Sequence, residues 1–179
     1  MRHWREIPGF WEDPDPGVYE GLISQIPDGG MMVEVGSYRG RSLASVAPTL
    51  IRKKIKLVAV DIFGSVFYNE DNVTPNNEGM LKDFMETMRE FQLDPLVIVG
   101  PVRLDSFVRD YLNPHLVFID ADHAYEAVKN DIKVWWSLVQ PDGILAGHDY
   151  NNKCPGVNQA VDELPMKFEV NGYIWSVKS

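Results

Sequence analysis

Two stretches of the chain carry residue types that do chemistry. In His115-Leu116-Val117-Phe118-Ile119-Asp120-Ala121-Asp122-His123 an apolar run ends in a carboxylate, with a second carboxylate and an imidazole just beyond. In Gly143-Ile144-Leu145-Ala146-Gly147-His148-Asp149-Tyr150 an apolar run again leads to an imidazole and a carboxylate. Carboxylate oxygens suit hard divalent cations, and imidazole suits borderline metals or proton transfer near neutral pH. If the two runs are neighbouring strands, two Asp and two His converge on one rim.

The elements that must position them follow from periodicity. Leu116–Ile119 suits a strand buried on both faces, and Asp120 falls where it leaves the sheet. In open parallel sheets, ligands bind at such carboxyl ends. Met31–Val35, Lys56–Asp61 and Leu96–Gly100 read as further strands. Helices are expected from Leu43, Val46, Ala47, Leu50 and Ile51, from Met80, Phe84, Met88 and Phe91, from Leu104–Leu112, from Val128, Ile132, Trp135 and Val139, and from Val157–Leu164. Asp15-Pro16 reads as a capped helix start, with Val18, Leu22 and Ile26 on one stripe. Asn171-Gly172 between alternating runs signals a closing hairpin. Residues 1–14, with Trp4, Phe10 and Trp11, read as an irregular arm over the domain or a partner subunit. Residues 63–77 read as a lid-like loop, where Tyr68, Asn69 and Asn72 could meet a ligand. This alternation predicts one α/β domain over 1–179: a doubly wound, mostly parallel sheet with helices on both faces and a C-terminal antiparallel hairpin.

Bulk properties narrow the function. The 179 residues are 45% hydrophobic, enough for a core without metal or disulfide staples. The single cysteine, Cys154, allows no internal disulfide and is expected to be inert. With no apolar leader at the start, the expected location is cytoplasmic. A net charge of −9 argues against nucleic acid or an anionic membrane as the partner. The aromatics of residues 1–14 leave a homo-oligomer open.

Glu34-Val35-Gly36-Ser37-Tyr38-Arg39-Gly40 joins a strand to a helix. Its Gly-x-x-x-Gly spacing is not that of dinucleotide binders. Asp61, ending the next strand, is the residue type that accepts hydrogen bonds from ribose hydroxyls. Together they favour a nucleoside-containing ligand.

On these residues the chain resembles the class I S-adenosylmethionine-dependent methyltransferases, and more narrowly the small metal-dependent O-methyltransferases of catechol and antibiotic-sugar type. Glu34–Gly40 is similar to their first motif, Asp61 to their ribose binder, and Val99-Gly100 to their adenine-lining segment. Phe118–Glu126, Pro141–Tyr150 and Pro155-Gly156-Val157 resemble the second half of that group. The resemblance implies a seven-stranded Rossmann-like sheet whose last strand is antiparallel. It implies S-adenosylmethionine as cofactor, bound through Glu34, Gly36, Ser37, Tyr38, Gly40, Asp61, Gly100 and Asp120. It implies a divalent metal, Mg²⁺, on Asp120, His148 and Asp149, with His123 as the base beside Asp120, while the imidazole of His148 suits Mn²⁺, Fe or Zn better than Mg²⁺. The acceptor would be a hydroxyl of a small molecule. His148 departs from the carboxylate or amide of the relatives, so either ligation or a supporting role toward Asp149 is open. Asp122 reads as a cap of the following helix, with a ligand role open. Two competing functions stay open: a non-methylating metal enzyme of hydroxylase or hydrolase type, and a cofactor-binding or assembly domain without catalysis.

Overall fold

The computed structural model describes residues 2–64, 79–100 and 111–179, with the backbone of 68–69 and 72–73. Its centre is a seven-stranded sheet of Met31–Val35 (β1), Lys56–Asp61 (β2), Leu96–Val99 (β5), Leu116–Ile119 (β6), Ile144–Gly147 (β7), Glu169–Asn171 (β8) and Ile174–Lys178 (β9). Tyr68–Asn69 (β3) and Asn72–Val73 (β4) pair antiparallel apart from it. Residues 65–67, 70–71 and 74–77 of the expected 63–77 lid, and residues 104–110 of the expected 104–112 helix, lie outside the described residues.

The strand order is β5-β2-β1-β6-β7-β9-β8. From β5 to β7 every pairing is parallel, and β9 runs antiparallel to both its neighbours. The seven-stranded sheet with a closing hairpin is therefore as the sequence reading had it. The chain winds outward from β1 through β2 to β5, then returns to start again at β6. The β1/β6 junction is thus the topological switch point, where a crevice opens at the strand ends.

Helices cover both faces because the strands are apolar on both sides. One face carries Asp15–Ser24 (α1), Arg41–Arg52 (α2) and Met80–Glu90 (α3), packed through Tyr19, Ile23, Leu43, Leu50, Phe84 and Met88. The other carries Tyr125–Trp136 (α4) and Pro155–Asp162 (α5), packed through Val128, Ile132, Trp135, Val157 and Val161. Phe118 of β6 faces the first layer, while Val117 and Ile119 face the second. That is why four consecutive apolar residues are needed there.

Several local expectations shift. Ile51 is 46% exposed and leaves the apolar stripe of α2, since the helix ends one residue later. Asn171 pairs with Ile174, so the hairpin turns on Gly172-Tyr173, one residue later than the Asn-Gly signal suggests, with Gly172 at φ 63°. The arm is partly structured. A 3₁₀ turn spans Trp4–Glu6, Ile7 and Trp11 are buried, and of the expected exposed aromatics Phe10 alone is fully so. Among the described residues no helix is long and apolar enough to cross a membrane.

Candidate active site

Parallel register brings the two chemistry-bearing strand ends together. Ile119 of β6 pairs with Gly147 of β7, so Asp120 and His148 leave the sheet side by side. Asp120 N–H donates to the Val35 carbonyl (2.7 Å), and His148 N–H donates to the Ile119 carbonyl (3.0 Å). Both residues are thereby fixed by backbone before any side chain takes part.

The side chains then converge. His123 Nε2 lies 2.9 Å from Asp149 Oδ2, and His148 Nδ1 lies 3.4 Å from the same oxygen. His148 Nδ1 is 3.6 Å from Asp120 Oδ1. Asp149 sits at φ 62°, a left-handed conformation that Asp tolerates, and its Oδ1 accepts from Asn151 Nδ2 at 3.2 Å. A pocket with room for about one water-sized group opens between Asp120, His123, His148 and Asp149. Asp122 accepts from Ala124 N–H (2.8 Å) in a turn ahead of α4. The helix itself begins without a side-chain cap, so Asp122 orders the entry and is not its N-cap.

The opposite ring nitrogen of His148 has a partner the sequence did not suggest. His148 Nε2 lies 3.0 Å from Asp15 Oδ2, with both side chains nearly inaccessible. Asp15 was expected to cap α1. The N-cap position falls instead on Pro14, no side-chain cap forms, and Asp15 turns inward to His148, 133 residues away in sequence. Trp11 lies beside the imidazole, with ring centroids 5.1 Å apart. Nothing local marks Asp15, because an Asp before Pro at a helix start has the sequence signature of a cap.

Charge and burial set the protonation states. Burial pushes Asp120 up to about 6, with His148 opposing and Asp149 adding to the rise. For His148 burial opposes the charged form, but hydrogen bonds with Asp149 and Asp15 outweigh it and hold the imidazole at about 10. For Asp149 burial acts upward, and the hydrogen bonds to His123 and His148 override it, leaving it below the usual carboxylate range. The hydrogen bond to Asp149 raises His123 above its ordinary value. With three carboxylates against two imidazoles, the cluster is short of positive charge at Asp120.

The strand-to-helix loop lies alongside. Gly36 sits at φ 89°, and a Cβ there would come within 2.0 Å of the Asp120 carbonyl oxygen. The residue is glycine because the loop backbone rests on the Asp120 backbone. Gly40 is the N-cap of α2 in a left-handed conformation, and that helix begins without a side-chain cap. Glu34 lies beneath the loop, fully buried, accepting from Ser42 Oγ (2.8 Å) and Tyr19 OH (3.0 Å). The buried Ser37 hydroxyl faces the same carboxylate without closing a well-formed hydrogen bond. Burial pushes Glu34 up to about 7 against these donors, with Asp120 adding to the rise. Asp61 accepts from the N–H groups of Tyr38 and Phe63, each at 2.7 Å, and so ties the loop to the end of β2. Tyr38 is 37% exposed, and Gly100 N–H donates to the Asp61 carbonyl (2.9 Å). Cys154, expected to be inert, lies within 4.8 Å of donor atoms of His123 and Asp149, and burial pushes its thiol up.

Residues 33–150 match the family described as a methyltransferase domain. The chain belongs to this methyltransferase family. A relative of this chain, an uncharacterized protein of Acanthamoeba polyphaga mimivirus, is 27% identical over 155 residues, which are 78% of this chain and 66% of that protein. The chain thus spans just under two thirds of that relative's length. Among solved structures, an O-methyltransferase from Bacillus cereus in complex with S-adenosylhomocysteine is 17% identical at a TM-score of 0.61, covering 98% of this chain and 86% of that one. The apo TDP-rhamnose 3′-O-methyltransferase of calicheamicin biosynthesis is 16% identical at 0.61, covering 92% and 76%. The precorrin-6y C5,15-methyltransferase from Geobacter metallireducens is 11% identical at 0.67, covering 98% and 96%. The fold is that of the class I methyltransferases, as the resemblance implied. O- and C-methyltransferases share it, so the fold does not choose the acceptor atom.

Proposed function

We propose that this chain is an S-adenosylmethionine-dependent methyltransferase acting on a hydroxyl of a small molecule, with a divalent cation held by Asp120, His148 and Asp149. The observation that carries the reading is the convergence of these three residues and His123 at the carboxyl ends of β6 and β7, beside the switch point and the glycine loop. The donor set fits a cation: two partly exposed carboxylates and an imidazole nitrogen lie within 4.8 Å of one another, around a carboxyl that burial has driven upward. Mixed nitrogen and oxygen donors favour Mn²⁺ over Mg²⁺.

The loop residues fit the nucleoside cofactor. The uncapped N-terminus of α2 leaves backbone N–H groups for an anionic group. Asp61 keeps a lone pair on each oxygen for ribose hydroxyls after binding Tyr38 and Phe63. Gly36, Ser37, Tyr38 and Gly40 would line the amino-acid and ribose side, Gly100 the base, and Asp120 the reacting end. Glu34 would act from beneath, by holding the loop.

An S-adenosylmethionine held by the loop would supply the methyl group, and a cation held by Asp120, His148 and Asp149 would lower the pKa of the acceptor hydroxyl. His123 takes the hydroxyl proton at Nδ1, the ring nitrogen turned away from Asp149. Asp149 holds that imidazole through Nε2 and raises its basicity. The negative site and the overall charge of −9 disfavour anionic polymers as acceptors.

The test is transfer of labelled methyl from S-adenosylmethionine to a panel of small hydroxyl compounds, with and without Mn²⁺. Asp120→Ala should abolish the metal dependence and leave S-adenosylhomocysteine affinity largely intact. Full metal-dependent activity in Asp120→Ala would reject the site. Methyl transfer to carbon or nitrogen acceptors only would reject the hydroxyl reading.

A further inference from the structure

Resting on that reading of the cation site, we infer that Asp15 is its positioning carboxylate: it fixes the His148 ring so that Nδ1 is presented to Asp120 and Asp149. Imidazole has two nitrogens, and which one meets a cation is set by what the other one binds. Here Nε2 is committed. It lies 3.0 Å from Asp15 Oδ2, and exposure falls to 6% for the His148 side chain and 2% for that of Asp15. An acceptor at Nε2 makes that nitrogen the proton carrier. Nδ1, facing Asp120 Oδ1 and Asp149 Oδ2, is then the nitrogen whose lone pair a cation can use, in exchange for any proton it holds.

The surroundings leave the pair little freedom. The Trp11 ring lies 5.1 Å from the imidazole centroid and the Tyr173 ring 6.2 Å, edge-on. The Gly172 turn closes over Asp15, where an added Cβ would come within 3.1 Å of Asp15 Oδ1. Asp15 is carried by the first turn of α1, and Trp11 by the arm before it. The N-terminal segment therefore supports the cation site from behind His148, outside the lining of the pocket itself. A buried carboxylate left without its imidazole would be costly, so the arrangement also specifies where α1 docks.

The experiment measures Mn²⁺ affinity by calorimetry on the full chain, for the wild type, Asp15→Asn and Asp15→Ala. Asn keeps an acceptor for Nε2–H but not its charge; Ala keeps neither. The expected result is weakening by about 10-fold in Asp15→Asn and by up to about 100-fold in Asp15→Ala, the range seen when supporting ligands of a metal site are removed. The imidazole ¹H–¹⁵N spectrum is the second readout: a hydrogen-bonded Nε2–H of His148 should persist in Asp15→Asn and be lost in Asp15→Ala. A role limited to helix docking would lower stability and leave Mn²⁺ affinity unchanged. Circular dichroism checks folding, and if Asp15→Ala does not fold, the near-isosteric Asp15→Asn decides. Equal Mn²⁺ affinity in wild type and folded variants would overturn this inference and leave the cation reading standing. No Mn²⁺ binding by the wild type would remove the cation reading and this inference with it.

Discussion

One oxygen of Asp149 lies against two imidazoles, 2.9 Å from His123 Nε2 and 3.4 Å from His148 Nδ1, and that sharing sets the chemistry of its neighbours. It lifts His123, helps to hold His148 in its charged form, and leaves Asp120 as the carboxyl short of a partner. If His123 carries the acceptor's proton, His123→Gln should lower kcat by about 10²- to 10⁴-fold, with S-adenosylhomocysteine affinity unchanged. Steady-state kinetics with calorimetry checks both halves. Glu34 offers a stability test away from the cation site. Its carboxyl is raised from 4.5 to about 7, so between those values the folded chain binds more protons than the unfolded one. Stability from this group is therefore lost as pH rises through that window, by ~3 kcal/mol in all. Glu34→Gln keeps an acceptor for Ser42 and Tyr19 and removes the charge. Its denaturation midpoint, relative to wild type, should be higher at pH 8 than at pH 5. The same offset at both pH values would contradict the assignment. At this scale the sequence disclosed the residue types but not all the partners. Asp120, His123, His148 and Asp149 sit next to apolar runs and announce themselves. Asp15 does not, since its partner is 133 residues away and its local context, an Asp before Pro, has a complete explanation as a cap.

Among the elements, the loop from β1 into α2 is the one the geometry constrains most tightly. Gly36→Ala puts a Cβ at φ 89° against the Asp120 backbone. The left-handed strain alone is about 1–2 kcal/mol, and the backbone overlap adds to it. Urea unfolding should show a loss of ~3 kcal/mol or more, and a cost near that of an ordinary surface change would refute the close approach. The N-terminal arm makes a contrast between neighbours. Trp11 is 2% exposed and donates to Ser45 Oγ at 3.0 Å, whereas Phe10 is 96% exposed. Trp11→Ala should cost about 3–5 kcal/mol, and Phe10→Ala should stay within about 0.5 kcal/mol. Thermal and urea unfolding of the two variants compare them directly. The sequence showed three aromatics in the arm without a period, and so could not say which turned inward. Tertiary contact with α2 and His148 decides it. The displaced hairpin turn has a similar cause. Asn-Gly is a strong local signal, but the pairing of Asn171 with Ile174 holds Asn171 in the strand and moves the turn to Gly172-Tyr173.

For the whole molecule, the alternation of apolar runs and helical stripes was enough to give the doubly wound sheet and its closing hairpin. Strand order is less local. Only the pairing of β6 with both β1 and β7 brings Asp120, His148 and the Gly36 loop to one crevice. The proposed lid was placed on residues 63–77, most of which lie outside the described residues. The central claim is that this crevice takes an S-adenosyl cofactor beside a cation site. Calorimetric titration of the full chain with S-adenosylhomocysteine, in the presence and absence of Mn²⁺, tests it most directly. Saturable binding of one molecule per chain is expected; absence of any binding at submillimolar ligand under both conditions would overturn the cofactor assignment.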